Sequence, residues 1–268
     1  MNAEGRMDVT GLRILVTGGG SGIGRAIAEG ACAAGARVVI AGRRSEALEE
    51  VVAGARGPGE MVAIAADVTD PGAVRDLARG CARRLGGLDG LVSAAGVHSI
   101  GASLELTDAE LDRVLATNLV GAFRATREVG RMMLEAGSGS IVEIASLSGF
   151  GAFPGRLAYA VSKAGVVEMT RTLAAEWGRQ GVRVNALVPG FVRTPIQDSL
   201  IERGLLDVTA LERRTPLGRR AEAGDMVEPA LFLLSSASRF VTGHALVVDG
   251  GWLPFVGPVD RYAGVADA

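Results

Sequence analysis

Tyr159 and Lys163 stand four residues apart in the stretch AYAVSKAG. The chain has 28 basic residues, and this lysine is the single exception among arginines; the tyrosine is one of only two. On a helix, residues i and i+4 share a face. A free phenol, with a pKa near ~10, is a poor proton carrier at neutral pH. A neighbouring ammonium favours the phenolate and brings the group within reach of general acid–base work. An arginine would supply charge too, but its flat guanidinium is no compact point donor to a ligand hydroxyl. The bland reading, a surface lysine that happens to follow a buried tyrosine, leaves the exception unexplained. Such a proton carrier calls for a donor that steadies developing negative charge on a substrate oxygen. Ser146 ends the apolar run SIVEIAS just upstream, and Ser148 competes with it.

A second constellation lies near the N-terminus. Residues 17–24 read TGGGSGIG, between the apolar run LRILV and a helix-period segment. A glycine turn that opens a helix lets the backbone approach a pyrophosphate, and the helix N-terminus offers free N–H groups and a positive dipole end. The G-x-G-x-x-G pattern fails here, at Ile23 read from Gly18 and at Ile27 read from Gly22. The pattern that fits is T-G-x-x-x-G-I-G on Gly18, Gly22 and Gly24, with Gly20, Ser21 and Ile23 inside the turn. The alternative is a tight strand–helix turn with no ligand. About 20 residues on, a dinucleotide site reads the ribose: an acid accepts the 2′-OH of NAD, whereas an arginine accommodates the 2′-phosphate of NADP. The run RVVIA ends in Gly42-Arg43-Arg44, and no acid occurs before Glu46. Arginine's bidentate fork favours NADP(H). NAD(H) stands if the pair is only a solvated surface.

The elements that must position these residues alternate along the chain. Apolar runs at 12–18, 37–42, 61–67, 87–96, 140–146, 183–190 and in HALVVDGG read as strands. Helix-period segments lie between them, including one over 157–180 that carries Tyr159 and Lys163. Thr107 and Glu110 match a capping box that opens a long helix through Met133. Strand–helix alternation implies parallel pairing through right-handed crossovers. Buried parallel strands read as continuous Val/Ile/Leu runs, as VVI and ALVV do. The expected fold is α/β: a Rossmann-type, doubly wound parallel sheet of about seven strands with helices on both faces, one domain over 1–268. Residues 191–217 break the pattern and read as a substrate loop with short helices, and 253–268 as a C-terminal tail. Loops at the carboxyl ends of the strands build the site in such folds.

Composition narrows the function classes. A net charge of -2 gives no electrostatic case for nucleic acid. The 48% hydrophobic content suits a packed layered fold rather than a disordered chain. Cys32 and Cys81 lie in Ala-rich helical segments and read as small core residues; two cysteines make no disulfide framework. No uncharged apolar run reaches the ~18 residues that a spanning helix needs. The segment MNAEGRMDVTG shows no signal-peptide pattern, so the expected location is cytoplasmic. No His/Cys cluster asks for a metal.

Together these residues resemble the short-chain dehydrogenase/reductase family, over about residues 9–252. TGGGSGIG resembles its cofactor turn, and Asp67-Val68 the acidic pair that holds the adenine. Asn118 in TNLVGAF, Ser146, Tyr159 and Lys163 resemble its catalytic tetrad. Pro189-Gly190 through Val192 and Thr194 resemble its nicotinamide loop, and VTGHALVVDGG its last strand. The resemblance implies Tyr159 as general acid in reduction and base in oxidation. It implies that Lys163 lowers the tyrosine's pKa and binds the nicotinamide ribose, that Ser146 bonds the substrate oxygen, and that Asn118 orders a water linking Lys163 to solvent. The resemblance also implies that Val192 and Thr194 position the carboxamide and that the assembly is a homotetramer or homodimer through two long helices. The family often carries Asn-Asn-Ala-Gly where this chain has Ser93-Ala94-Ala95-Gly96. The small residues keep the close approach to cofactor, but side-chain bonds that tie the sheet are lost.

The substrate side is less legible. His98 follows the fourth strand and reads first as a solvated loop residue, second as a pocket residue. Arg156 reads first as a surface or interface residue, with an anionic substrate as the alternative. Phe153, Phe191, Leu147, Phe150 and Ile196 suggest an apolar wall, and His244 reads as structural. Trp252, Phe255 and Tyr262 belong to the tail, which either covers a neighbouring subunit's pocket or frays. The expected function is an NADP(H)-dependent oxidoreductase that interconverts a secondary alcohol and a ketone. The competitors are a 3-oxoacyl-[acyl-carrier-protein] reductase, which needs a basic docking surface such as Arg127 and Arg131, an NAD-dependent alcohol dehydrogenase, and a non-catalytic nucleotide-binding regulator.

Overall fold

The structure, a computed structural model, describes residues 7–254. Seven parallel strands form one sheet in the order β3-β2-β1-β4-β5-β6-β7. They are β1 Arg13–Thr17, β2 Arg37–Gly42, β3 Glu60–Ala65, β4 Gly90–Ser93, β5 Gly139–Ile144, β6 Val182–Pro189 and β7 Ala245–Val248. Each matches an apolar run named above to within a few residues. Alternation along the strands divides the side chains between two cores. Ile14, Val16, Val38, Ile40, Val92 and Val142 point to one face, where α1 (Gly22–Ala33), α2 (Ser45–Gly54) and α9 (Val227–Leu234) pack. Leu15, Val39, Ala41, Leu91 and Ile141 point to the other, against α3 (Pro71–Leu85), α5 (Ala122–Ala136) and α6 (Leu157–Trp177). Cys32 and Cys81 are buried in these two cores, as read.

The strand order reverses between β1 and β4, whose register pairs Thr17 with Ser93. The crevice at such a switch point, at the carboxyl ends of the strands, is where open α/β sheets bind ligands. At the opposite, amino ends of β1 and β4, the Arg13 guanidinium grips Asp89, with Nε to Oδ2 at 2.8 Å and Nη2 to Oδ1 at 2.6 Å.

The helix expected from Thr107 to Met133 is three pieces. α4 (Asp108–Leu115) runs into a π-helical segment, Ala116–Gly121, and then into α5. Half of the expected capping box forms: Thr107 Oγ1 accepts from the Glu110 amide at 3.2 Å, while the Glu110 carboxylate turns to Arg113. The wide turn carries Asn118; π-bulges inside helices often mark functional sites. Residues 191–217 contain α7 (Pro195–Glu202) and α8 (Val208–Arg214). Trp252 is buried with Phe191 and Leu147 in a third core and does not fray. Phe255, Tyr262 and most of the expected tail lie outside the described residues.

Candidate active site

A groove runs along the carboxyl edge of the sheet as two adjoining cavities, of about 230 Å³ and 170 Å³. Gly18, Ser21, Gly96 and Val97 line both, so the two are lobes of one trench. The glycine turn forms its floor. Gly18 has φ +70°, and a Cβ there would lie 2.7 Å from the Ala94 backbone. A Cβ on Gly24 would lie 2.5 Å from the Gly18 carbonyl oxygen. Ser21, at the N-cap of α1, makes no side-chain cap bond, so no side chain there covers the helix's first amides. These are the features that a pyrophosphate requires.

The smaller lobe holds Gly20, Arg43, Arg44, Asp67, Val68 and Ala95. Both arginines are exposed, and neither forms an ion pair within 4 Å among the described residues. Asp67 Oδ1 accepts from the Thr69 amide and hydroxyl, each at 2.8 Å. Burial works against this carboxylate, but the two bonds from Thr69 and the charge of Arg43 outweigh it and hold its pKa below the usual range.

The larger lobe gathers Ala94, Gly96, Ser146, Ser148, Tyr159, Lys163, Pro189, Gly190, Val192 and Thr194 with His98, Phe153 and Phe191. Tyr159 and Lys163 share one face of α6, with Nζ 5.8 Å from the phenol ring centroid. Lys163 is buried, and Nζ donates to the Ile144 carbonyl at 2.6 Å. Burial lowers its pKa to about 8, against the charge of Glu143, which raises it. Asn118, also buried, clamps the loop after β4: Oδ1 accepts from the Val97 amide at 2.8 Å, and Nδ2 donates to the Val97 carbonyl at 2.9 Å. Nδ2 also reaches Ser162 Oγ on α6 at 3.2 Å, and that hydroxyl donates to the Tyr159 carbonyl at 2.7 Å. Ser146 Oγ accepts from the Ser148 amide at 3.2 Å.

The electrostatics of Tyr159 differ from the sequence reading. Burial is the dominant influence and raises its pKa; a hydrogen bond with Ser146 and the charge of Arg156 pull the other way. Arg156 is thus a cation that acts on the phenol here, in addition to Lys163 at 5.8 Å from its ring. Arg156 is half-buried rather than a plain surface residue: it lines the larger lobe, its guanidinium 5.7 Å from the ring centroids of both Phe153 and Phe191. His98 is not a solvated loop residue either. It stacks on Tyr159 with centroids 4.4 Å apart. Burial, with the charges of Arg156 and Lys163, lowers its pKa to about 4, so it is neutral at physiological pH. Phe153, Phe191 and Trp252 form an aromatic wall, with Phe153 stacked on Trp252 at 5.3 Å and Phe191 edge-on to it at 5.4 Å. Phe150 is exposed and does not line the lobe. The backbone of His244 bonds Asn185 and Ala186, a structural role as read.

Two features escaped the sequence. Gln197 and Leu200 of α7 complete the lobe. Glu143, wholly buried on β5, faces Ser93 in register on β4 and accepts from Thr126 Oγ1. It stands where a strand interior should be apolar, and the lone acid inside IVEI was the available signal. The Ser93–Glu143 pair puts polar groups across β4 and β5 where the Asn-Asn tie was missed. Among the described residues no group of three or more His, Cys, Asp or Glu could hold a metal, and no helix is long and apolar enough to cross a membrane.

This sheet and edge groove define a Rossmann-type dinucleotide-binding protein. A family model described as enoyl-(acyl carrier protein) reductase matches residues 18–253. Galactitol 2-dehydrogenase (L-tagatose-forming) of Cereibacter sphaeroides is 41% identical over 88% of this chain and 93% of its own. The 3-oxoacyl-[acyl-carrier-protein] reductase of Thermotoga maritima is 36% identical over 91% and 99%. A solved structure from Beutenbergia cavernae, described as an NAD(P)-dependent gluconate 5-dehydrogenase with NADP at low occupancy, is 40% identical. It superposes with a TM-score of 0.85, covering 94% of this chain and all of that one. The chain belongs to the short-chain dehydrogenase/reductase family and is an oxidoreductase acting on CH–OH groups.

Proposed function

We propose that the protein interconverts a secondary alcohol and a ketone with NADP(H), using Tyr159 as general acid and base. The observation that carries the reading is the convergence of Tyr159, Ser146 and Lys163 on one lobe of a trench whose other lobe holds Arg43 and Arg44. The residues fit the cofactor: the glycine floor admits a pyrophosphate, Asp67 and Val68 would hold the adenine, and Arg43 the 2′-phosphate. Pro189, Gly190, Val192 and Thr194 would hold the nicotinamide end. When bound, NADP(H) supplies or accepts the hydride at the substrate carbon. In oxidation Tyr159 takes the hydroxyl proton, so alcohol and oxidised cofactor become ketone, reduced cofactor and one proton. In reduction Tyr159 returns that proton to the substrate oxygen.

Ser146 holds the same oxygen. Lys163 supplies buried positive charge beside the phenol, and Asn118 fixes the Val97 loop against α6. The raised pKa of Tyr159 keeps it protonated in the ligand-free site, ready to donate. Cofactor charge and lysine orientation in the loaded site then set the working value. The relatives named above act on a neutral polyol, a sugar acid and an acyl thioester, so the ketone's chemistry is the open part. An acyl-carrier partner is the weaker reading, because Arg127 is already paired with Glu128 at 2.9 Å and lies over Phe123. Exposed Val120, Phe123, Leu157 and Val161, on or beside the long helices, favour a homodimer or homotetramer. The cytoplasm suits a nicotinamide enzyme.

Fluorescence titration with NADPH and NADH, followed by turnover of an alcohol and ketone panel, tests the reading. Tighter NADPH binding and turnover are expected. Binding without turnover of any panel member would point to the nucleotide-binding regulator.

A further inference from the structure

The larger lobe has an uncompensated cation. None of its lining residues is Asp or Glu, while Arg156 and Lys163 both line it. Lys163 is satisfied, with Nζ on the Ile144 carbonyl and Glu143 behind it. Arg156 is not: among the described residues its guanidinium forms no ion pair and no hydrogen bond. It is partly buried, and desolvation lowers its pKa. A partly desolvated guanidinium without a counter-ion carries a cost, so a position that keeps one facing the lobe favours an anion delivered by the ligand. The geometry suits this. Its Cζ lies 5.7 Å from the ring centroids of both Phe153 and Phe191, and its donors form a planar fork that matches a carboxylate. Two further polar atoms of the lobe are buried and unpartnered, His98 Nδ1 and Gln197 Oε1. A neutral imidazole and an amide oxygen are partners for hydroxyl groups.

We infer that Arg156 is a specificity residue that binds a carboxylate on the substrate, with His98 and Gln197 facing its hydroxyls, so that the substrate is a hydroxy acid or its keto acid. The inference rests on the oxidoreductase reading and decides between the neutral and acidic substrates left open there.

The test compares pairs of probes that differ only in –COO⁻ against –CH₂OH: D-gluconate with D-glucitol, 3-hydroxybutyrate with 1,3-butanediol, and mandelate with 1-phenyl-1,2-ethanediol. Wild type should prefer the acid in at least one pair by tenfold or more in kcat/KM. Arg156→Met keeps an unbranched apolar stem and removes the charge. Because Arg156 also acts on Tyr159, this variant loses some activity on both members. The acid member should lose at least about 30-fold more, the lower range for truncating one partner of a buried charge pair. Arg156→Lys should recover part of that difference. Calorimetric titration of the NADPH-saturated protein with the preferred acid, a dead-end complex, should weaken by a similar factor in Arg156→Met, with NADPH affinity unchanged as the control for folding.

Equal turnover of acids and alcohols by wild type, or equal loss of both in Arg156→Met, overturns the inference and leaves the oxidoreductase reading standing. No turnover of any alcohol or ketone with either nucleotide overturns both.

Discussion

Replacing Glu143 by Gln should change how stability depends on pH. The carboxyl group is wholly buried on β5, with one oxygen accepting from Thr126. Burial pushes its pKa from an ordinary value near 4.5 up to about 7, against the opposing pull of Thr126, Ser93 and the charge of Lys163. Between those two values the folded chain keeps a proton that the unfolded chain has released. The stabilisation from this group is therefore complete below the unfolded pKa and lost as pH rises through the folded one. At 1.36 kcal/mol per pKa unit, the loss between pH 5 and pH 8 is about 2.5 kcal/mol.

Gln keeps the acceptor for Thr126 and cannot ionise. Urea denaturation of both proteins at matched concentration, at pH 5, 6, 7 and 8, gives the stability difference at each pH. The variant should gain on wild type by about 2.5 kcal/mol across that range, since titrating groups other than Lys163, which Glu143 touches electrostatically, cancel in the difference. A gain below about 1 kcal/mol would refute the placement of an ionising acid in this core.

Three further outcomes follow from the site. Tyr159→Phe should keep NADPH affinity within about twofold and lower kcat by roughly 10²–10⁴, the worth of a positioned acid–base group; unchanged turnover in a steady-state assay would remove Tyr159 from the chemistry. Arg43→Ala should weaken NADPH roughly 10- to 100-fold, as expected for a charge-assisted bond, and leave NADH unaffected; equal weakening of both by fluorescence titration would make Arg43 a general binder rather than a 2′-phosphate reader. Gly24→Ala puts a methyl 2.5 Å from the Gly18 carbonyl oxygen, where neither backbone can yield; it should cost about 1–3 kcal/mol in denaturant and abolish measurable nucleotide binding, and a variant with normal affinity would show that the turn tolerates a side chain.

The sheet was legible because its physics is local. A parallel strand buried on both faces needs a continuous apolar run, and RVVIAG and HALVVDGG supply one wherever they fall. The glycine turn was legible for the same reason: glycine at Gly24 is dictated by close backbone approach to Gly18 within one strand–turn–helix unit. The helix through Met133 was misread in part, because a π-turn at Ala116–Gly121 has no strong propensity signature and is held by Asn118's bonds to Val97 and Ser162.

The i, i+4 spacing of Tyr159 and Lys163 fixed by itself that they share a helical face, and the order of runs and glycines fixed a doubly wound domain with its site at the strand ends. What surrounds that face was decided by tertiary structure. His98, Arg156, Phe191 and Trp252 come from four separate loops that meet only when the sheet brings its carboxyl edge together. The same assembly sets how far water is excluded, and so whether burial raises the Tyr159 pKa and lowers that of Lys163. Spacing is carried by the covalent chain and a helix's geometry, whereas desolvation and charge depend on every neighbour in space, and those neighbours exist only in the folded molecule.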